Sequence, residues 1–260
     1  RGKKSECVVG DFVRWQPAGD EGVIEHIEPR RNLLHRQDEW KTKSFAANID
    51  AVLVIVAADP PFSESQLARA LIAAESAGIT AHVLLNKCDL PQAAAARDRL
   101  APYRAMGVPV HEVAMKAVPD AARAVLAPLL FNKMTLVLGP SGMGKSTLIN
   151  LMVPGATAQV GEISAALSAG RHTTTTTTWY WIDAARQSAL IDSPGFQEFG
   201  LRHVDALQLP GLMPDLRAFA GGCKFYNCTH RHEPGCNVIA AVERGDISPS
   251  RWRIYGEICD

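Results

Sequence analysis

From residue 49 onward, short apolar runs alternate with longer stretches in which apolar and polar positions mix at helical spacing. IDAVLVIVAA (49–58), TAHVLLN (80–86), VPVHEV (108–113) and MTLVLG (134–139) read as strands, and 63–77, 91–106 and 119–130 as helices between them. Regular alternation of strand and helix is the βαβ rhythm of a parallel sheet, which predicts an α/β domain. The pattern continues through a glycine-rich loop into the helix STLINLM, the strands TTTWYWID and SALID, and the turn SPGF. Before residue 45 the pieces are shorter, CVVGDFVRW and GVIEHIE, broken by Gly, Pro and charged turns, as in a small β-domain. Beyond about residue 205 the chain becomes helix and loop around a cluster of cysteines.

Composition narrows the class. A chain of 260 residues that is 47% hydrophobic can bury a sizeable core. Lys plus Arg equals Asp plus Glu at 27 each, so no global field draws the protein to nucleic acid or to an anionic membrane. A local basic patch, Arg30, Arg31, His35, Arg36, Lys41 and Lys43, is the best candidate for RNA, with a solvated face the competing reading. The longest apolar run, AVLVIVAA at 51–58, is far below the roughly 18 residues of a membrane span, so no membrane association is expected. Three of the six cysteines fall within 223–236, a spacing that suits a metal in a reducing compartment better than a disulfide framework.

The loop GPSGMGKST carries the first specific chemistry. Gly139, Gly144, Lys145 and Ser146 match G-x4-G-K-[ST] between a strand and a helix. In that arrangement the backbone of Gly139, Ser141, Gly142, Met143, Gly144 and Thr147 wraps phosphates, Lys145 reaches the β and γ phosphates, and the Ser146 hydroxyl ligates Mg2+. A chance Gly-rich turn is the plainer alternative. The tetrad N-K-C-D at the end of TAHVLLN chooses the base: Asp89 can accept from the two guanine N–H groups that adenine lacks, with Asn86 and Lys87 beside it. Asn, Lys and Asp also suit an ordinary strand-end turn, but both signatures emerge at the carboxyl edge of one sheet. After the loop come D-x-x-G, as Asp192 to Gly195, and the threonine run. Asp192 would hold Mg2+ through water, the Gly195 amide would sense the γ phosphate, and a hydroxyl among Thr173 to Thr175, with Thr174 preferred, would complete the magnesium set. A Thr-rich strand competes for the later threonines.

In the usual GTPase the phosphate loop precedes the guanine tetrad. Here the order is tetrad, A-M-K at 114–116, phosphate loop, threonines and D-x-x-G, which is a rotation without loss and points to circular permutation. Cys223, Cys228, His230 and Cys236 form C-x4-C-x-H-x5-C, a set that fills a tetrahedral structural Zn2+ site, with His232 a rival for the nitrogen ligand.

VVGDFV, PRRNLLHR, AANIDAVLVI, NKCDL, GPSGMGKSTLIN, GRHTTT, IDSPGFQEFGL and CKFYNCTHRHEPGC together resemble the circularly permuted, ribosome small-subunit-dependent GTPases of the RsgA (YjeQ) type, over nearly the whole chain. The resemblance implies a multidomain protein: an OB-fold β-barrel over 1–45, incomplete because it begins upstream of Arg1, a permuted P-loop GTPase domain over 46–205 and a small α-helical zinc domain over 206–260. It implies a monomeric cytoplasmic GTP hydrolase that binds the small ribosomal subunit and its rRNA late in assembly, with GTP/GDP, Mg2+ and one structural Zn2+. An RNA-binding assembly scaffold with a structural nucleotide site is the alternative. The family motif favours His230 over His232. Phe196 stands where Ras-like GTPases place the water-orienting glutamine, and Gln197 is one residue too far, so the resemblance makes His172, with Lys145, the catalytic candidate. Gly142 occupies the position of the asparagine found in potassium-activated relatives, so potassium is not expected. The short link from D-x-x-G to the C-terminal domain predicts that loss of the γ phosphate moves that domain.

Overall fold

The computed structural model describes residues 7–19, 21–37, 42–156, 177–193, 195 and 199–260. At its centre is a six-stranded sheet of β5 (Ala51–Ala57), β6 (Thr80–Asn86), β7 (Val110–Glu112), β8 (Met134–Leu138), β9 (Thr178–Trp181) and β10 (Ala189–Asp192), in the order β7-β6-β5-β8-β10-β9. All pairs are parallel except β9 with β10. Every residue of β5 is buried, because both faces of the sheet are covered. Val52, Val54 and Val56 join the core beneath α1 (Glu64–Ser76) and α2 (Ala93–Ala105), whereas Leu53, Ile55 and Ala57 join the core beneath α3 (Pro119–Leu130) and α4 (Lys145–Met152). The two-residue period of a strand thus feeds two separate layers.

Helix boundaries follow local chemistry. The Ser63 side chain accepts from the Gln66 amide and opens α1, and Pro119 sits in the first turn of α3, where a missing N–H costs nothing. The permutation is visible in space. β8, which feeds the phosphate loop, is central; the earlier strands β5 to β7 lie on one side of it and the later β10 and β9 on the other. Moving 51–112 behind β10 would restore the loop-first order without disturbing one pairing.

The N-terminal part forms two antiparallel hairpins. β1 (Val13–Ala18) pairs with β2 (Glu21–Ile27) in an exposed ribbon, and β3 (Leu33–Gln37) pairs with β4 (Thr42–Ala47), burying Leu34, Phe45 and Ala46 against the α1 layer. The segments 33–37 and 42–47 carry no strand expectation from the hydrophobic pattern, and the first strand starts at Val13 rather than Cys7. Among the described residues these hairpins do not close into the five-stranded barrel of an OB-fold.

After β10 come a 3-10 turn at Leu209–Leu212, α5 (Pro214–Ala220), α6 (Asn237–Arg244) and α7 (Pro249–Cys259). Arg251 of α7 grips Asp215 of α5 through Nε and Nη2 at 2.8 and 3.2 Å, and its guanidinium lies 5.0 Å from the ring centroid of Tyr103 on α2. Both charged groups are buried, so loss of either would strand the other without compensation. Arg217 to Glu75 and Arg69 to the Glu257 carbonyl add rim contacts with α1. No helix among the described residues is long and apolar enough to cross a membrane.

Candidate functional site

The parallel strands end along one edge, and the candidate residues gather there. Gly139, at the end of β8, has φ +152°, and a Cβ on it would lie 2.5 Å from the Ile55 carbonyl oxygen, so only glycine lets the loop leave beside β5. Gly144 has φ +115°, and a Cβ there would meet Asn86 Nδ2 at 2.4 Å. That approach has a purpose. Asn86, only 4% exposed, donates from Nδ2 to the Met143 carbonyl at 3.0 Å and accepts at Oδ1 from the Met115 amide at 3.3 Å. The first residue of the tetrad therefore ties the phosphate loop to the A-M-K segment. One amide hydrogen of Asn86 is used in this tie, and a second donor is left for a base.

Lys87 takes positive φ at +61° and donates from Nζ to the Asp59 carbonyl, while Asp89 lies exposed at the edge. Lys145, first residue of α4, is 8% exposed and donates to the carbonyls of Gly139 and Pro140 at 2.7 and 2.9 Å. Burial depresses its pKa to about 8, against the opposing attraction of Asp192. Burial likewise pushes the Asp192 carboxyl up, opposed by Lys145. Two strongly desolvated, oppositely charged groups therefore face the loop. Asp192 is 3% exposed and its Oδ1 has no hydrogen-bond partner, an orphan that fits a cation or its water shell better than an apolar core. Ser193 is pinned to the Val137 carbonyl at 2.7 Å, and Gly195 lies so close to the loop that a Cβ on it would be 3.2 Å from Lys145 Nζ and 3.3 Å from the Ser141 amide nitrogen. Ser141 is exposed on the loop, and Ser146 and Thr147 lie half-buried in the first turn of α4. Thr174, His172, Phe196 and Gln197 lie outside the described residues.

The second cluster lies in the C-terminal module. One ligand atom each from Cys223, Cys228, His230 and Cys236 falls within 4.8 Å of the others, a donor set that could hold a metal ion. His230 Nδ1 is 3.4 Å from Cys223 Sγ and 3.5 Å from Cys236 Sγ. His230 is buried with φ +58°, whereas His232 is exposed. The loop is shaped by Glu233, which accepts from the Thr229 amide and hydroxyl, and is tied to α7 by Tyr255 to the Thr229 carbonyl and Trp252 to the His230 carbonyl. The amides of Asn237 and Ile239 donate to the Cys223 and Cys236 sulfurs at the start of α6, at 3.4 and 3.5 Å.

The basic patch is partly structural. Arg30 forms a two-pronged pair with Asp11, and Arg31 binds Asp50 and the Asn48 carbonyl. Two contacts were not anticipated: the Arg251–Asp215 pair, which belongs to no motif, and the Asn86 tie to Met143 and Met115, which joins three of them. Only the second had a local signal, the strand-end asparagine.

A family model described as RsgA GTPase matches residues 27–202, which include the tetrad, the phosphate loop and D-x-x-G. The small ribosomal subunit biogenesis GTPase RsgA of Variovorax paradoxus is 62% identical over 263 residues, 99% of this chain and 83% of that protein. The protein of the same name from Burkholderia pseudomallei is 52% identical over 260 residues, 99% of this chain and 82% of its own length. Among solved structures, YloQ, a circularly permuted GTPase, superposes with a TM-score of 0.69 at 27% identity, covering 100% of this chain and 82% of that one. YjeQ from Thermotoga maritima gives 0.74 at 27% identity, covering 98% and 84%. A central parallel sheet with the base tetrad ahead of the phosphate loop is thus shared in sequence and in space, and the chain belongs to the RsgA GTPase family.

Proposed function

We propose that this chain hydrolyses GTP on the small ribosomal subunit during late assembly and leaves it in the GDP form. The carrying observation is the meeting of Asn86, the 139–146 loop, Lys145, Asp192 and Gly195 at one sheet edge. In this reading Asp89 accepts from the guanine amino and ring N–H groups, Lys87 lies along the base, and Asn86 offers its remaining amide hydrogen. The amides from Gly139 to Thr147 cradle the phosphates, with Lys145 turning from the loop carbonyls to the β and γ phosphates. Ser146, Asp192 and Thr174 would hold Mg2+, which when bound neutralises charge on the phosphates. The orphaned Asp192 Oδ1 supports that role. Gly195 senses the third phosphate through its amide, and His172 orients the attacking water. Cys223, Cys228, His230 and Cys236 hold one structural Zn2+ in a closed set.

The proposed division is an OB-fold over 1–45, the permuted GTPase domain over 46–205 and the zinc domain over 206–260. The outer two contact rRNA, and the protein works as a cytoplasmic monomer. The test is GTP turnover by the purified protein with and without small ribosomal subunits. Slow release of phosphate alone and strong acceleration by subunits is the expected result. Equal rates would favour a scaffold with a structural nucleotide, and a phosphorylated small molecule would replace hydrolysis with group transfer.

A further inference from the structure

The chain leaving the D-x-x-G turn does not pass directly to the C-terminal module. Phe199 is 1% exposed, and its ring stacks on Phe45 of β4 with centroids 5.7 Å apart and planes 17° from parallel. The next residues pair with the end of β3. The Gln37 amide donates to the Gly200 carbonyl and the Arg202 amide donates to the Gln37 carbonyl, both at 3.1 Å, with Leu201 opposite Gln37 in a parallel bridge. His203 then lies 4.2 Å, ring to ring, from His35 of β3. Residues 199–203 thus lie against the β3–β4 hairpin, held by two main-chain bonds at the single Gln37–Leu201 bridge and by two ring contacts.

The other end of this segment is at the nucleotide loop, where Gly195 abuts Lys145 and Ser141. Gly195 and Phe199 are four positions apart, a reach of at most about 14 Å. The base of the hairpin is fixed separately. Asp50 accepts from Arg31 at 2.7 Å and from the Met134 amide, which opens the phosphate-loop strand β8, at 2.8 Å. Among the described residues that follow Gly195, the first contacts are therefore with the hairpin, Phe199 on Phe45 and Leu201 at Gln37, ahead of α5. The C-terminal module meanwhile meets α2 through the Arg251 guanidinium, which Asp215 holds 5.0 Å from the Tyr103 ring centroid.

We propose that Phe199, seated on Phe45, is a positioning residue for hydrolysis that couples the D-x-x-G turn to the N-terminal β3–β4 hairpin, so that the third phosphate and the small ribosomal subunit act on one and the same contact. This rests on the GTPase reading above. Coupling is reciprocal: a partner that orders the hairpin favours the triphosphate arrangement of Gly195 to the same degree that the triphosphate favours the partner.

Amide hydrogen exchange of the whole chain, with GDP and with a non-hydrolysable GTP analogue, tests the coupling. The Gln37 amide should exchange about fivefold more slowly or better with the triphosphate, the lower end of ordinary allosteric coupling. In Phe199→Ala that difference should vanish. Subunit-stimulated kcat should fall about tenfold at nearly constant KM for GTP, and Phe199→Leu should recover most of it. Equal exchange at Gln37 in a wild-type protein that binds both nucleotides overturns the proposal while leaving GTP hydrolysis standing. A Phe199→Ala protein with lowered melting temperature, unchanged kcat and an intact exchange difference also overturns it. A wild-type protein that binds no GTP removes both readings together.

Discussion

At the nucleotide edge, residues more than a hundred positions apart meet because parallel strands end side by side. In the C-terminal module, four ligand atoms meet because fourteen residues, Cys223 to Cys236, fold back on themselves. The edge depends on the sheet and is indifferent to the order in which its strands are made, so rotating the chain leaves Asn86 still bonded to Met143. The cluster is the reverse. Its spacing is its geometry, and one inserted residue between Cys228 and His230 would unmake it. A function distributed over strand ends survives permutation, and a function packed into one loop travels with that loop.

If the two sites are built independently, each can be broken alone. The largest effect is expected from Lys145→Ala, which should lower GTP turnover by about 100- to 1000-fold, the scale of a lost donor to transition-state charge, with metal content unchanged. Colorimetric phosphate release and elemental analysis of one sample decide this, and a fall in zinc would join what the comparison separates. His172→Ala should cut subunit-stimulated turnover roughly a hundredfold while intrinsic turnover and nucleotide binding change little. Survival of both rates would move water positioning to another group, including one on the ribosome. Asp89→Asn should weaken GTP by about tenfold or more and improve xanthosine triphosphate, because the amide complements a carbonyl where guanine has an amino group; fluorescence titration with both nucleotides reads this. Cys228→Ser should lose most bound zinc and lower the melting midpoint by about 5–10 °C, with intrinsic GTP turnover nearly kept. Full zinc content in that variant would dissolve the cluster as a metal site.

The smallest effect is a proton. Burial holds free Lys145 near a pKa of about 8, and phosphates at the loop would raise it. The bound state then carries more protons than the free state above pH 8, so GTP affinity should fall as pH rises from 8 to 9, with uptake of about half to one proton. Near pH 7 both states are protonated and this uptake should fade. Calorimetry in two buffers of different ionisation enthalpy measures it, and pH-independent binding from 7 to 9 would show that Lys145 is already charged before the nucleotide arrives.

What could be read in the residues follows the same division between local and distant. Helix α1 is capped by Ser63 and begins at Glu64, one residue from the predicted start, and α3 spans 119–130 as the pattern predicts, because caps, proline and apolar spacing act within a few residues. The phosphate loop and the Cys/His set were legible for the same reason. The hairpin β3–β4 was not, since LLHRQ has only two apolar residues and the hairpin's burial comes from α1 and from Phe199, which stacks on Phe45 from 154 positions away. Nor does any local signal join Gln37 to Leu201 or Arg251 to Tyr103. The short link expected from D-x-x-G to the C-terminal domain stops on the hairpin first, because a single β-bridge at Leu201 leaves no period to detect.

The position of β5 in the sheet sets a condition on how this chain is made. β5 is bordered by β6, synthesised soon after it, and by β8, which is completed only about 80 residues later. At about 5–20 residues per second, the wholly apolar strand AVLVIVA spends about 4–16 s with one hydrogen-bonding edge unmatched. An open edge of that composition is a template for pairing with another nascent chain. In the loop-first order β8 would be waiting when β5 emerged. The permuted gene order therefore exchanges a protected nucleation for an interval of exposure, and slowing translation between residues 58 and 134 should lower soluble yield more than the same delay placed after β10.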